Sequence, residues 1–487
     1  MQRLSLLDAE FLHLEDGIAH MHIAGVSVFE GPPLGVDELM RLLEAKIHLI
    51  PRYRQRVRFV PLELGRPVWV DDPHFRLEYH VRHTALPAPG DDAALCRLMG
   101  RLMSQPLDRD RPLWELWMVE GLSDGRWALI SKIHHCMVDG VSGVDLLGVL
   151  FDAERDVPLP VPEPWTPAPE PVGAAMVLDA WGGLLGDLAR WARRSPAFVR
   201  APLAAVRSAT RTTTGVFDMA RHLGSTPPLS IEGTIGPHRV WAHSSASIAD
   251  VSAIRQAFGG TLNDVVLAAV SGGYRELLLS RGDDADHAVV RSLVPVSTRP
   301  ADAHGVLDNR VSAFLLELPV DIPGPLDRLS AIRDRMGDLK QSHMAEGGEF
   351  VTTAGNLAPP MVVGTVSRLG SRLMHQLPQR SINTVTTNVP GPRAPLYCLG
   401  REMLEYYPYV PVSHGVRVGT AILSYNGKLS FGVTGDAETA PDVDVLATAI
   451  EAGLTEMKAL ATRRSRKQST RATGRAGTSP TRGRQRP

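Results

Sequence analysis

The segment that most constrains the fold of this chain is residues 126–140, where an apolar run ends in His-His-Cys-Met-Val-Asp-Gly. Residues 126–133 are rich in apolar and β-compatible residues on both faces, which is typical of a strand buried between two layers. Apolar residues then recur at helical spacing up to Phe151. The pattern predicts the order strand, turn, helix, with His134 and His135 at the carboxyl end of the strand.

His134 and His135 are candidates for proton transfer. An unperturbed imidazole has a pKa of about 6.5, so it can take a proton from a hydroxyl group and return it later. Asp139 follows on the same turn and either fixes the imidazole tautomer directly or holds the loop through a buried arginine. A histidine pair at a strand end is more often part of the core, but the attached Asp139-Gly140 favours a catalytic base.

Several sequence segments, in order along the chain, resemble those of a known enzyme family. The pattern His-His-x-x-x-Asp-Gly resembles the signature of CoA-dependent acyltransferases and of the condensation domains of peptide synthetases. Over roughly residues 1–460 the chain is similar to the bacterial wax ester synthase/diacylglycerol acyltransferase family. The segments that carry this resemblance, besides residues 134–140, are Leu4–Leu12, Arg111–Glu115, Thr261–Asp264, Pro295–Arg299 and Asn388–Pro392.

The resemblance implies an α/β fold. Two chloramphenicol acetyltransferase-like lobes are expected, each a mixed sheet flanked by helices, with the active site in a channel at their interface. Uneven alternation of strand and helix patterns also favours mixed sheets over purely parallel ones. Within the second half, Asn426-Gly427 predicts a type I′ hairpin, and Thr261 with Asp264 predicts a capped helix that is apolar nearly all round.

The resemblance also implies the reaction. His135 would act as general base on an alcohol that attacks the thioester carbonyl of a long-chain acyl-CoA, with His134 in a supporting role. The expected acceptor is diacylglycerol, giving triacylglycerol, and a long-chain fatty alcohol, giving a wax ester, is the alternative. Acyl-CoA is a co-substrate, and neither a bound cofactor nor a metal is expected. Asp139 would brace the loop, with Arg299 as its first candidate partner.

Other segments have two interpretations each. Asn263 and Asp264 stand in the first turn of the predicted helix, where they cap it or support the active site. The Asn263 side chain and loop amides are both candidate donors for the oxyanion. Pro112, Leu113 and Trp114 either pack in the core as an aromatic anchor, which is favoured, or shape a substrate channel.

The chain is long enough for two domains, because 487 residues exceed what one hydrophobic core usually organises. We expect a first lobe over residues 1–156 and a second lobe over residues 238–461. Between them, residues 157–237 combine a proline-rich linker with basic amphipathic helices. Residues 462–487 hold nine Lys or Arg and no Asp or Glu, which leaves −10 on the rest of the chain. This tail is predicted to be disordered.

The sequence favours a cytoplasmic protein that touches lipid. It contains neither a long uncharged apolar run nor a secretory signal, and its three widely spaced cysteines fit a reducing compartment. The basic helices, with Trp181 and Trp191, either pack on the protein or lie on the inner membrane face or a lipid droplet. No aromatic interleaving supports nucleic acid as a partner for the tail, and nothing indicates the oligomeric state.

The residues around the motif fit other chemistries less well. Gly121–Gly125 matches the serine-hydrolase elbow pattern, but a second strand follows it where a helix is required. Metal ligation by His134 and His135 is disfavoured because adjacent residues of an extended segment point to opposite sides. Cys136 is a poor nucleophile beside His135. A carrier-linked condensation domain lacks its carrier module here, while a catalytically silent lipid-binding protein of the same fold stays an alternative.

Overall fold

A computed structural model of the chain describes residues 2–137, 148–182, 228–297, 311–341 and 382–476. Two six-stranded mixed sheets dominate these residues. A three-stranded sheet, in the order β1-β4-β3, and a two-stranded sheet, β8-β15, stand beside them. The minor strands are β1 (Gln2–Arg3), β3 (Gln55–Arg58), β4 (Val68–Asp71), β8 (Glu232–Gly233) and β15 (Gly415–Val416).

The first large sheet has the order β13-β14-β2-β7-β6-β5. Its only parallel pair among the described strands is β5 with β6, and the other neighbours are antiparallel. Strands β6 and β7 form a hairpin around Gly121–Gly125, in agreement with the second strand expected after this segment. The strands are β2 (His22–Phe29), β5 (Val81–Ala85), β6 (Trp114–Glu120), β7 (Trp127–His134), β13 (Tyr397–Cys398) and β14 (Arg401–Tyr409).

The second large sheet has the order β11-β10-β12-β16-β17-β9. Strands β10, β12 and β16 run parallel, and the remaining pairs are antiparallel. The type I′ turn predicted at Asn426-Gly427 is confirmed, because both residues have positive φ and Tyr425 pairs with Lys428. The strands are β9 (Arg239–Ser247), β10 (Val290–Ser297), β11 (Val311–Leu318), β12 (Thr384–Pro390), β16 (Val418–Tyr425) and β17 (Lys428–Asp436).

Helices cover both large sheets. Helix α2 packs on one face of the first sheet and α4 on the other, where α4 also meets β9 of the second sheet. Helices α6 to α9 share one core with the second sheet. The helices are α1 (Leu6–Leu14), α2 (Val36–Lys46), α3 (Leu77–His80), α4 (Asp92–Met103), α5 (173–182), α6 (Ile248–Phe258), α7 (Leu262–Ser280), α8 (Pro325–Gln341) and α9 (Val443–Ala476).

Helix α7 confirms the capped, buried helix predicted from Thr261 and Asp264. The Thr261 hydroxyl accepts a hydrogen bond from the Asp264 amide at 3.2 Å, and the Asp264 carboxylate accepts one from the Thr261 amide at 2.7 Å. This is a reciprocal capping box. The residues from Val265 to Val270 are all buried. The helix therefore forms the centre of the second core, as its apolar sequence requires.

Strand β14 joins the two halves of the molecule. It belongs to residues 401–409 but pairs with β2, so the first sheet is not built from residues 1–156 alone. Its Pro408 lies so close to Gly432 of β17 that a Cβ atom on Gly432 would stand 1.7 Å from the Pro408 carbonyl oxygen. Helix α9 likewise continues past residue 461, to Ala476. The predicted lobe boundaries follow chain order, whereas the first sheet includes two strands from the second half of the chain, β13 and β14.

Candidate active site at the end of strand β7

Main-chain hydrogen bonds fix the place of both histidines. His134 is the last residue of β7 and pairs with His22 of β2. Its amide donates to the Leu113 carbonyl at 2.9 Å, and the His135 amide donates to the Met21 carbonyl at 2.8 Å. His135 then begins a short 3₁₀ turn that ends at Met137. The imidazole rings of His134 and His135 consequently lie in different surroundings.

His135 is the more open of the two histidines. Its ring stacks on Phe11 with centroids 3.9 Å apart, and the residue keeps partial solvent exposure. Among the described residues its Nδ1 atom has no hydrogen-bond partner. Burial, aided by the neighbouring His134, lowers the pKa of His135 to about 4. The ring is therefore neutral near pH 7, which is the form that accepts a proton.

His134 is completely buried, and both of its ring nitrogens are engaged. The Cys136 amide donates to Nδ1 at 3.1 Å, and Nε2 lies 3.2 Å from Oε2 of Glu15. Because Nδ1 accepts, the ring proton stands on Nε2 and is donated to Glu15. His134 thus connects the turn that begins at His135 to helix α1.

Glu15 is a residue that sequence reasoning missed. It lies at the end of α1, and Arg109 donates to its Oε2 through Nη2 at 2.6 Å and Nε at 3.1 Å. Burial raises the pKa of Glu15, but the hydrogen bonds from His134 and Arg109, together with the charge of Arg109, outweigh burial and lower it to about 2. A helix dipole disfavours an acid at a carboxyl terminus. An acidic residue at the carboxyl end of α1 was therefore the one signal in the sequence that a partner elsewhere in the fold stabilises this carboxylate.

Lys132 and His22 add further buried polar groups below the turn. Lys132 donates through Nζ to the Leu102 carbonyl at 2.9 Å and the Gln105 carbonyl at 2.5 Å, and so satisfies the carboxyl end of α4. Burial lowers its pKa to about 8. His22 contacts the Met103 carbonyl at 3.0 Å through Nε2. Within the described residues, no three His, Cys, Asp or Glu side chains are grouped as metal ligands.

Two of the family-like segments meet in the second half. The Nδ2 group of Asn388, near the end of β12, donates to Oδ1 of Asn263 at 2.9 Å in the first turn of α7. The oxygen of Asn263 is thereby occupied, and its own amide N–H groups remain as donors. Asp264 is buried and uses its carboxylate in the capping box.

Pro112, Leu113 and Trp114 are buried in the first core. Trp114 stacks on His80 with centroids 4.5 Å apart and donates through Nε1 to the Tyr53 carbonyl at 2.9 Å. Core packing, the favoured interpretation of this segment, agrees with these contacts. The ring of Trp114 also borders a cavity.

Three residues expected at the site, Asp139, Gly140 and Arg299, lie outside the described residues. The pairing of Asp139 with Arg299 stays a prediction. Cys136 is buried, and burial raises the pKa of its thiol well above the usual value. A thiol held in its protonated form is a weak nucleophile.

Solved structures define the class of this fold. A wax ester synthase/diacylglycerol acyltransferase from Marinobacter aquaeolei VT8 superposes with a TM-score of 0.67 at 25% identity, covering 95% of this chain and 100% of that chain. The first condensation domain of the calcium-dependent antibiotic synthetase has the same fold, with a TM-score of 0.54 at 18% identity over 94% and 96% of the chains. The chain therefore has the two-lobed, chloramphenicol acetyltransferase-like acyltransferase fold.

Sequence comparison places the chain more narrowly. Residues 4–266 match the wax ester synthase/diacylglycerol acyltransferase catalytic domain, and residues 307–458 match the C-terminal domain of the same family. The probable diacylglycerol O-acyltransferase tgs1 of Mycobacterium tuberculosis is 36% identical over 95% of this chain and 97% of its own length. A putative diacylglycerol O-acyltransferase of Mycobacterium bovis shows the same values. The chain belongs to the wax ester synthase/diacylglycerol acyltransferase family.

Proposed function

We propose that this protein transfers the acyl group of a long-chain acyl-CoA to the free hydroxyl of diacylglycerol, producing triacylglycerol and CoA. The hydroxyl gives its proton to His135, and its oxygen bonds to the thioester carbonyl carbon. Collapse of the tetrahedral intermediate breaks the C–S bond, and the sulfur leaves with the proton from His135. No other reactant is needed, because a thioester is already activated and the protein has to position two substrates and move one proton.

The position of His135 at the end of β7, partly exposed and with no hydrogen-bond partner for Nδ1 among the described residues, is the observation that carries this proposal. It lies at the end of a rigid strand, with its backbone held by Met21 and its ring by Phe11. A base must be unprotonated and accessible to substrate, and the lowered pKa and partial exposure of His135 support that role. The curated relatives named diacylglycerol O-acyltransferase support the choice of acceptor.

We assign positioning roles to the groups behind His135. His134 and Glu15 hold the turn by a buried hydrogen bond, which keeps the neighbouring imidazole in one place. Asp139, paired with Arg299, would brace the same loop from its other end. For the oxyanion we propose the Asn263 amide, because Asn388 engages the oxygen of that side chain and leaves its N–H groups to donate.

A competition experiment tests the reaction. Labelled palmitoyl-CoA is supplied with diacylglycerol and hexadecanol together, and the lipid products are separated. The expected result is labelled triacylglycerol as the main product, with CoA thiol released only when an acceptor is present. A wax ester as the main product would assign instead the first activity in the name of the Marinobacter relative, wax ester synthase. If neither acceptor led to CoA release, the proposal would be overturned in favour of a silent lipid-binding protein.

We further propose that the protein meets its substrates at a lipid surface through helix α5. Met176 and Ala180 bury one face of α5, whereas Leu178 is 74% exposed and Trp181 45% exposed. Leu62, on the neighbouring 3₁₀ turn, is 85% exposed. Large apolar side chains grouped at the surface favour an interfacial contact. No helix among the described residues is long and apolar enough to span a bilayer.

Vesicle sedimentation tests this surface. Wild-type protein should sediment with phosphatidylglycerol vesicles, and the double change Leu178→Glu and Trp181→Glu should leave most of it in the supernatant. Leu279→Glu, at a 46% exposed position of α7, is a matched control that should not change sedimentation. Equal sedimentation of all three proteins would reject α5 as the contact.

A further inference from the structure

The loop between helix α1 and strand β2, residues 15–21, lies between two groups that hold His135. Phe11, in the second half of α1, stacks on the imidazole ring with centroids 3.9 Å apart. Met21, the last residue of the loop, accepts a hydrogen bond from the His135 amide at 2.8 Å through its carbonyl. A displacement of this α1–β2 loop would therefore move both of these contacts with the candidate base.

Asp16 closes the α1–β2 loop on itself. Its Oδ1 atom accepts hydrogen bonds from the amides of Ile18 at 2.8 Å and Ala19 at 2.7 Å, which gives a compact turn. Burial raises the pKa of Asp16, but these bonds and the one from His414 outweigh burial and lower it below the usual value. The carboxylate is therefore ionised near pH 7 and can only accept hydrogen bonds.

His414, from the turn between β14 and β15, binds the other oxygen of this carboxylate. Its Nε2 atom lies 3.0 Å from Oδ2 of Asp16, although 398 residues separate the two in the chain. Because the ionised carboxylate only accepts, Nε2 carries a proton and donates the hydrogen bond. The side chain of His414 is 20% exposed. The second half of the chain thus holds the loop at its first turn.

Arg239, the first residue of β9, binds the same loop from inside the molecule. Its Nη2 group donates to the Ile18 carbonyl at 2.5 Å. Its Nη1 group donates to the Gly236 carbonyl at 2.6 Å and lies 3.6 Å from Oδ1 of Asp436. The side chains of Arg239 and Asp436 are both buried. A buried guanidinium that is engaged through both of its amino groups has one orientation, so Ile18 is fixed relative to β9 and the end of β17.

Apolar packing joins the same parts of the chain. Met21 belongs to one buried cluster with Ile235 and Val412 of the second half. Phe11 packs against that cluster. The aromatic ring that stacks on His135 therefore rests on side chains of the second half.

We infer that His414 and Arg239 are positioning residues for the general base: from the second half of the chain they hold the α1–β2 loop and, through Phe11 and Met21, the imidazole of His135. The inference rests on the proposed function, because it names residues that orient the base of that reaction. Proton transfer requires a base within hydrogen-bond reach of the hydroxyl, and a misplacement of about 1 Å can cost about 10²-fold in rate. A loosened loop should thus lower kcat and leave substrate binding nearly unchanged.

Two substitutions at His414 separate its hydrogen bond from the rest of its side chain. His414→Ala removes the donor to Asp16, and His414→Gln restores an N–H donor. We expect kcat of His414→Ala to fall about ten-fold with KM changed less than about two-fold, and kcat of His414→Gln to stay within about three-fold of wild type. The matched control is His287→Ala, which removes another histidine–aspartate pair, with Asp284 at 2.8 Å, from an 83% exposed position. Wild-type kcat in His414→Ala, or an equal loss in His287→Ala, would overturn the inference.

Arg239→Lys tests the second contact. Lysine keeps a positive charge beside Asp436, but its single ammonium group cannot replace the guanidinium that binds Gly236 and Ile18 together. We expect kcat to fall about ten-fold or more at nearly constant KM, in protein that circular dichroism shows to be folded. A folded variant with wild-type kcat would overturn the role of Arg239. If the variant does not fold, the substitutions at His414 decide alone.

A titration of His135 provides a measurement that does not depend on turnover. When histidine is labelled with carbon-13 at Cε1, the signal of His135 is the one missing from His135→Ala. Burial lowers the pKa of His135 to about 4, so its signal should stay constant from pH 8 to pH 5.5 in the wild type and in His287→Ala. In His414→Ala the loosened loop admits water to the ring, and the signal should titrate closer to the ordinary pKa of about 6.5.

The titration also distinguishes a failure of the inference from a failure of the proposed function. A His414 that only stabilises the fold would lower the unfolding temperature of His414→Ala and leave the titration of His135 unchanged, and this result would overturn the inference alone. If the wild type transferred no acyl group but the titration shifted in His414→Ala, the proposed function would fail, whereas the positioning of His135 by His414 would stand.

Discussion

Oε2 of Glu15 lies 3.2 Å from Nε2 of His134, although 119 residues separate them in the chain. The same oxygen accepts hydrogen bonds from Arg109, so a buried carboxylate connects helix α1, the loop before β6 and the end of β7. Fully engaged buried polar groups make a local structure unique, because any displacement leaves one of them without a partner. The turn that carries His135 is held by this network.

Replacement of Glu15 by Gln should weaken the network without removing it. The amide oxygen still accepts from His134, but the charge that pairs with Arg109 is lost. We expect the free energy of unfolding to fall by about 1–3 kcal/mol, and kcat to fall more than KM changes. Glu15→Ala should cost more, about 3 kcal/mol, because it leaves the buried Nε2 proton of His134 without an acceptor, whereas the 42% exposed Arg109 regains water. Urea unfolding and steady-state kinetics check both. Equal stability of Glu15→Ala and wild type would contradict the network.

The pH dependence of stability separates Glu15 from other carboxylates. The fold lowers its pKa from 4.5 to about 2, so the stabilisation is present above pH 4.5 and is lost as pH falls toward 2. The difference in unfolding free energy between wild type and Glu15→Gln should therefore be largest near pH 7 and shrink below pH 4.5. Urea unfolding at pH 7, 5 and 3.5 measures it. If the difference in unfolding free energy grew as the pH fell, the pKa of Glu15 would be raised by the fold and not lowered.

The acid limb of the rate profile should report His135. Burial lowers its pKa from 6.5 to about 4, so acceptor-dependent kcat/KM should stay level from pH 8 to pH 6 and decline only toward pH 4. The same shift means that the fold favours the neutral ring, and this costs stability as pH falls from 6.5 toward 4. Samples held at each pH and returned to pH 7.5 control for unfolding. A decline of kcat/KM already near pH 6.5 would contradict this prediction, because it would indicate a solvated imidazole.

His135→Ala should lower kcat by about 10²–10⁴-fold, the usual effect of losing a general base. The expected fold is unchanged, because the ring makes one stacking contact with Phe11 and its amide bond to Met21 belongs to the main chain. His74→Ala, at an exposed position after β4, is the matched control and should keep full activity. Turnover near the wild-type value in His135→Ala would remove the residue from the mechanism.

Local patterns predicted much of the fold. Three short patterns each predict a conformation from a few neighbouring residues: the apolar run before His134, the Asn426-Gly427 turn and the capping box at Thr261. The structure confirms all three. The family resemblance supplied the two-sheet architecture. Contacts between segments that are distant in the sequence could not be predicted, because local hydrophobic periodicity carries no information about them. The exchange of β14 into the first sheet and the contact of Glu15 with His134 are of this kind.

The candidate site shows the same limit. The residue types predicted an imidazole base at His134 or His135, and the family resemblance implied His135. The aromatic side chain of Trp114 favoured core packing. The pKa of His135 depends on what surrounds the ring, and the contact of Asn263 with Asn388 joins segments 125 residues apart. Burial and long-range contacts emerge only from the folded chain.

A double-mutant cycle should reveal the coupling of Asn263 with Asn388. If Asn388 acts by holding the Asn263 amide, then Asn263→Ala and Asn388→Ala should each lower kcat, and the double variant should be no slower than Asn263→Ala. Their stability effects should couple by about 0.5–1.5 kcal/mol, the worth of one hydrogen bond. Steady-state kinetics and urea unfolding measure both quantities. Additive effects on kcat would mean that the two side chains act separately.

The contact of β17 with β14 gives a prediction about the whole molecule. Because a Cβ atom on Gly432 would stand 1.7 Å from the Pro408 carbonyl oxygen, Gly432→Ala must push the two strands apart. We expect a loss of about 3 kcal/mol or more, as for overpacked cores. Gly453→Ala, inside α9 with no neighbour within 4 Å, should gain about 0.5–1 kcal/mol from lower backbone entropy in the unfolded chain. Thermal and urea unfolding of the two variants should therefore shift in opposite directions. A tolerated Gly432→Ala would show that the sheets can separate without cost.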